Sequence, residues 1–209
     1  MNQAQVAVST VVPRPTVISS GIRRAAAVIL GSLLVAVCAH VSIPLLFTPV
    51  PVTLQTFAVL LLGLTLSPAA AFGALALYLF EGAAGLPVFS PHGPGGVVQL
   101  LGPTGGYLLS YPFAAALTSL IARRIGRAGF TSYAISAALG SIVILALGAG
   151  WFAVVTHQAL GTALTMTVWP FLPGDAVKVC AAAAVALGYI RLRSRFHNSS
   201  ASLSDGMAP

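Results

Sequence analysis

The sequence predicts an all-α integral membrane protein: six transmembrane helices, both termini in the cytoplasm, and glycine- and proline-rich loops over the external end. Three observations carry that expectation. Of 209 residues, 57% are apolar and only 6% charged, and the mean hydropathy is +0.96. A soluble domain carries roughly 25% charged residues, because its surface must face water; a chain this poor in charge would expose apolar surface everywhere. Second, the apolar residues fall into separate segments of membrane-crossing or near-crossing length. Third, the basic residues gather between those segments: Arg14, Arg23 and Arg24, then Arg123, Arg124 and Arg127, then Arg191, Arg193 and Arg195. Such clusters are topology signals, whereas nucleic-acid binders gather charge on a polar face interleaved with aromatics. No nucleic-acid partner is expected. A soluble enzyme, a disulfide-stapled secreted domain and a disordered tail are excluded by the same composition.

In order along the chain, residues 1–22 are polar and lack a compact basic region ahead of an apolar core. They read as a cytoplasmic tail, not a cleaved signal peptide. The membrane domain is expected over 23–193. Its first segment, 24–43, suffices to cross a hydrocarbon core of about 30 Å. After the proline-rich stretch 44–52, segments 53–67 and 68–85 form a pair broken at Ser67-Pro68, where proline suits the first turn of the second helix. Both are short for a full crossing, so tilt or shelter within the protein must make up the difference. Residues 85–106 are too rich in glycine and proline for a lipid-facing helix, whose backbone groups would lack partners in hydrocarbon. Further segments run over 106–122 and 131–155. A polar break over 157–167 follows, and the sixth segment starts at Pro173-Gly-Asp175 and ends at Arg191. The serine-rich residues 194–209 are expected to form a mobile cytoplasmic tail.

With the N-terminus inside, all three arginine clusters fall in the cytoplasm; the opposite orientation would put all of them outside, against the positive-inside rule. The loops 44–52, 85–105 and 157–172 then share the external face, as a lid over a pocket or as plain connections. Cys38 and Cys180 lie in apolar segments without CxxC spacing and read as buried packing residues.

Chemistry concentrates in two places. Asp175 and Lys178 stand three apart at the start of an apolar helix, on one face. Charges at membrane depth are costly and mark function by default; the plainer alternative is an interfacial ion pair with Lys178 snorkelling outward. Thr53 and Gln55 open the second helix from the same side, and an amide that both donates and accepts suits an amide- or urea-like ligand, or simple capping and interhelical bonding. Glu81 is expected at a solvated helix end. Phe89, Tyr107, Tyr111, Trp151 and Trp169 lie toward the external ends of their segments, as an aromatic belt or as pocket wall; Tyr107, within Gly102-Pro-Thr-Gly-Gly-Tyr107, is the strongest wall candidate. That glycine run is no P-loop, and no GxSxG or HExxH is present. His40 and His157 pair with no nucleophile. No catalytic residue and no metal ligand is therefore expected. Ala27/Gly31 and Ser32/Ala36 are small residues four apart, which permit close approach inside this protein or by a membrane partner.

Four motifs in order, Pro49-Val-Pro-Val-Thr-Leu-Gln-Thr-Phe57, Gly85-Leu-Pro-Val-Phe89, Gly95-Gly with Leu101-Gly-Pro-Thr-Gly-Gly-Tyr-Leu108, and Pro173-Gly-Asp-Ala-Val-Lys178, resemble the BioY family, the biotin-binding S components of energy-coupling factor (ECF) transporters. The resemblance spans about residues 24–191. It implies a six-helix bundle in the bacterial cytoplasmic membrane that captures biotin from outside, with no cofactor. It also implies partners: a transmembrane coupling protein, which would dock on Ala27, Gly31, Ser32 and Ala36, and two cytoplasmic ATPases. The departure is Ser90-Pro-His-Gly-Pro94, where relatives often place a basic or amide residue. The expected ligand set is Asp175, Lys178, Gln55, Thr53, Tyr107 and Phe89. Biotin offers ureido N–H donors, a polarised C=O, an apolar bicycle and an acid tail; Asp175 can accept from the first and Lys178 donate to an oxygen.

Two other classes are open to test. An autonomous secondary carrier would need more intramembrane acids than Asp175, or an internal repeat, and neither is visible. Its mark would be uptake that survives loss of every ATPase yet collapses with the proton gradient. An intramembrane enzyme lacks a nucleophile–base pair.

Overall fold

The computed structural model describes residues 20–126 and 129–205; most of the expected N-terminal tail lies outside them. The elements are α1 (Ser20–His40), β1 (Ser42–Leu45), β2 (Thr48–Thr53), α2 (Gln55–Thr65), α3 (Pro68–Ala83), α4 (Gly96–Leu101), α5 (Gly105–Ile125), α6 (Phe130–Val155), α7 (Leu160–Thr167) and α8 (Leu172–Asp205). Each of the apolar segments read from the sequence becomes a helix, namely α1, α2, α3, α5, α6 and α8.

The loops differ from expectation. Residues 44–52 are not a bare connection but most of an antiparallel hairpin, β1–β2, pairing Ser42 with Thr53 and Ile43 with Val52, so the chain is mostly helical and not all-α. The glycine-rich stretch contains α4, and the polar break contains α7. The last helix also outruns its expected end, reaching Asp205. By length and composition, α1, α5 and α6 are able to cross a membrane, and α7 with α8, bent by 58°, makes a fourth candidate among the described residues. The two short helices α2 and α3 have 11 and 16 residues, so this measure supports three or four spans where six were expected.

The break between α2 and α3 is local chemistry. Ser67 sits extended at the N-cap of α3 and its Oγ accepts from the Ala70 amide at 3.3 Å, with Pro68 filling the first turn. Ser67→Ala should lower stability by about 1 kcal/mol, a fall of about 2–4 °C in the thermal midpoint of a chain this size; an unchanged midpoint would show the cap to be idle.

The bundle is apolar outside as well as inside. Val37, Phe80, Val177 and Leu30 are all at least 65% exposed, a surface that suits hydrocarbon and not water. At the centre stands α2, buried on nearly all sides. Gly63 lets it approach α5, since a Cβ there would lie 2.8 Å from the Ala115 carbonyl oxygen and the Thr118 Cβ. Ala182, Ala183 and Ala186 give α8 an equally flat face in the second core cluster, which includes Leu60 of α2 and Ala137 of α6. Small residues permit such contacts where no hydrophobic force draws helices together.

Several residues sit otherwise than expected. Cys38 is buried, but Cys180 is exposed on the flank of α8. Gly31 and Ser32 do not form an open docking face: both are buried, with a Gly31 Cβ position 2.9 Å from Ala74 Cβ of α3, and Ser32 Oγ donates to the Glu81 carboxylate. Ala27 and Ala36 are half-buried. Glu81, expected in solvent, is half-buried beside Ser32.

Candidate ligand-binding site

The strand β2 delivers Thr53 to the start of α2. Its Oγ1 accepts from the Gln55 backbone N–H at 3.3 Å and donates to Gln55 Oε1 at 3.0 Å. Tyr111 of α5 also donates to that oxygen, at 3.5 Å. Gln55 Nε2 donates to Tyr78 Oη at 2.5 Å, and Tyr78 donates onward to the Val88 carbonyl at 3.1 Å. One Nε2 hydrogen of Gln55, which is 3% exposed, has no partner in this chain of bonds.

Across from it, Asp175 lies in the first turn of α8. Lys178 Nζ donates to Asp175 Oδ1 at 3.0 Å, and Ser141 Oγ of α6 donates to Oδ2 at 3.2 Å. The two charged side chains are only 8% and 12% exposed, so Lys178 does not snorkel outward. An ion pair this deep is tolerated because each partner neutralises the other.

Thr53, Gln55, Tyr107, Asp175 and Lys178 line a single cavity, whose empty volume is about 540 Å³ including its opening. Tyr107 donates to the Thr167 carbonyl at 3.0 Å, and its ring is seated against Gly148 of α6, where a Cβ would collide with it. All three unusual loops contribute wall: Val50 and Pro51 from the hairpin, Ser90, Gln99 and Thr104 from the glycine-rich stretch, Phe171 from the third. Trp151 Nε1 donates to the Gly102 carbonyl at 2.9 Å, and Ser42 Oγ meets His92 Nδ1 at 3.0 Å, so the loops are tied to the bundle and to each other.

Phe89 is not part of this wall. It is 3% exposed and packs edge-on against Tyr78, ring centroids 5.4 Å apart, behind the Gln55 network. Residues that sequence reasoning missed are Tyr78, Gln99, Ser141, Thr56 and Phe171. Tyr111, weighed in the sequence as belt or pocket wall, stands one turn from Tyr107 on the same face of α5 and lines the cavity; Ser141 and Tyr78 lie in apolar runs with nothing to mark them. Thr56 Oγ1 and Ser90 Oγ line the cavity, buried and without a hydrogen-bond partner. Buried polar atoms are seldom left so. No group of three His, Cys, Asp or Glu side chains able to hold a metal occurs among the described residues.

An apolar-coated helical bundle with a largely apolar pocket that holds a buried ion pair under folded loops at one end has the architecture of a membrane protein that captures a small molecule. The chain belongs to the BioY family, whose model matches residues 5–195. It is similar to the biotin transporter BioY of Rhodobacter capsulatus, 39% identical over 168 residues (75% of this chain, 86% of that protein). It is also similar to the biotin transporter BioY of Thermotoga maritima, 38% identical over 154 residues (74% and 88%). The fold matches the crystal structure, at 2.1 Å, of the S-component for biotin from an ECF-type ABC transporter, with a TM-score of 0.76 and 24% identity over 83% of this chain and 92% of that one.

Proposed function

We propose that this chain captures biotin at the outer face of a bacterial cytoplasmic membrane and serves as the substrate-specific subunit of an ECF-type uptake system. The observation that carries the reading is the buried Asp175–Lys178 pair facing the Gln55 amide across one cavity. A ureido ring supplies two N–H donors for the Asp175 carboxylate, and its polarised oxygen accepts from Lys178 Nζ or from the spare Gln55 hydrogen. Tyr107, Tyr111 and Ile144 offer apolar and aromatic surface to the bicycle, and the unpartnered hydroxyls of Thr56 and Ser90 offer polar contacts to the remainder. Exclusion of water by the loops strengthens each of these bonds. Energised uptake calls on two ATPases and on a membrane coupling protein that links them to this chain.

Six crossings with both termini inside remain our reading despite the short helices. An 11-residue helix is only about 16 Å long, but α2 is surrounded by protein, and a sheltered helix need not reach both interfaces. The arginines at the start of α1, the end of α5 and late in α8 then share the cytoplasmic end. In a chain whose native cysteines are replaced, Leu46→Cys at the fully exposed hairpin tip should react with an impermeant thiol reagent from outside, and Arg124→Cys only from inside. The reverse pattern would overturn the orientation.

Calorimetric titration of the purified protein tests the ligand. Biotin and desthiobiotin, which share the ureido ring, should both bind, while vitamins without it should not. A monodisperse preparation that gives no heat with biotin would end the proposal.

A further inference from the structure

At the end of the bundle away from the ligand pocket, a second cavity opens between α2, α5, α6 and α8. The helix α2 stops at Thr65, while α5 and α8 continue to Ile125 and Asp205. The step left behind encloses about 1010 Å³ of empty space, its open mouth included. Arg123 and Arg193 line it together with Thr65, Ser119, Tyr133 and Tyr189.

Among the described residues that line this cavity, two are arginines and none is an acid. Of the three acids in the chain, Asp175 is in the ligand pocket, Glu81 is held by Ser32 between α1 and α3, and Asp205 ends α8, about 18 Å along the helix from Arg193. Arg123 Nε donates to Ser119 Oγ at 3.4 Å, and Ser119 donates to the Leu66 carbonyl at 2.7 Å. That anchor fixes the arm of Arg123 and leaves its terminal nitrogens for another acceptor. The carbonyl ends of α2 and α5 work against an anion, but Arg123 and Arg124 stand in the last turn of α5 and Ser119 already occupies the Leu66 carbonyl.

The surroundings indicate the kind of anion. The apolar coat reaches this level through the exposed Leu120 and Leu192, so the mouth lies where hydrocarbon gives way to headgroups, and tyrosines favour that boundary. Two planar guanidiniums match a phosphate in bidentate fashion. We propose that this cavity binds the phosphodiester headgroup of an anionic phospholipid, clamped between Arg123 and Arg193.

The test uses the full chain in mild detergent, reading the thermal midpoint as phosphatidylglycerol, phosphatidylcholine or inorganic phosphate is added. Phosphatidylglycerol should give a saturable rise and phosphatidylcholine none, because its choline cation meets no carboxylate in the cavity. The Arg123→Gln/Arg193→Gln variant should need roughly 25-fold more phosphatidylglycerol, about fivefold for each cation near a headgroup layer, while Arg23→Gln/Arg24→Gln, outside the cavity, keeps the parental response. Arg193→Gln alone, on an exposed part of α8, serves if the double variant does not fold, with about a fivefold shift. A phosphate response equal to that of phosphatidylglycerol at the same concentration would keep the anion site but make its source free phosphate and not lipid. No rise with phosphatidylglycerol, an equal rise with phosphatidylcholine, or equal losses in both arginine pairs would overturn the proposal.

Discussion

Asp175→Asn should weaken biotin binding by about 2–5 kcal/mol, roughly 30- to several-thousand-fold. The substitution keeps the shape of the side chain and one acceptor oxygen, so Ser141 loses little. Lys178, however, is left as a cation only 12% exposed with its counter-ion gone, and the ureido N–H groups lose a charged acceptor. Lys178→Met should be comparably harmful for the converse reason, since it strands the carboxylate. If both groups serve one ligand moiety as a unit, the double variant should cost far less than the sum of the single ones. Titration with biotin reads all three, and elution as a monodisperse species is the control for folding. Parental affinity in well-folded Asp175→Asn would return the pair to a purely structural role.

Gln55→Leu should reduce both stability and affinity. The buried amide accepts from Thr53 and Tyr111 and donates to Tyr78. Leucine would leave the Tyr111 hydroxyl without its acceptor in a buried site, at about 1–3 kcal/mol, while Tyr78 keeps the Val88 carbonyl. An affinity loss of roughly 10- to 100-fold is expected if the spare Nε2 hydrogen meets the ligand. Gln55→Glu separates the two roles. A carboxylate still accepts from Thr53 and Tyr111, and from Tyr78 if that hydroxyl turns away from the Val88 carbonyl, so stability should partly return against the cost of burying a charge, but the ionised group has no hydrogen to give a ligand oxygen. Stable Gln55→Glu with parental biotin affinity would reduce the amide to scaffolding.

The apolar segments, the break at Ser67-Pro68 and the clustering of arginines were legible because each depends on local rules. Apolar length, proline at a first turn and a hydroxyl cap act within a few residues. The same holds for the proximity of Asp175 to Lys178, which a helical spacing of three guarantees, and of Thr53 to Gln55, which share one helix start. The hairpin β1–β2 escaped because its strands carry prolines at Pro44, Pro49 and Pro51 and lack the usual alternating pattern; pairing supplied by the fold above the bundle overrides weak strand propensity.

What this sequence determined by itself is the solvent of the protein, the order of its apolar helices, the family to which it belongs and the two short motifs that bear its polar chemistry. Tertiary structure alone decided which side of each helix does what. It turned Gly31 and Ser32 inward onto α3, placed Phe89 behind Tyr78 instead of in the cavity, and brought Ser141 to Asp175 from 34 residues away. The physical reason lies in the composition. When both the interior and the exterior of a bundle are apolar, hydrophobic periodicity no longer distinguishes a buried face from a lipid-facing one. Orientation then follows from where small residues let backbones meet and where isolated polar groups find partners, and both are properties of the assembled helices.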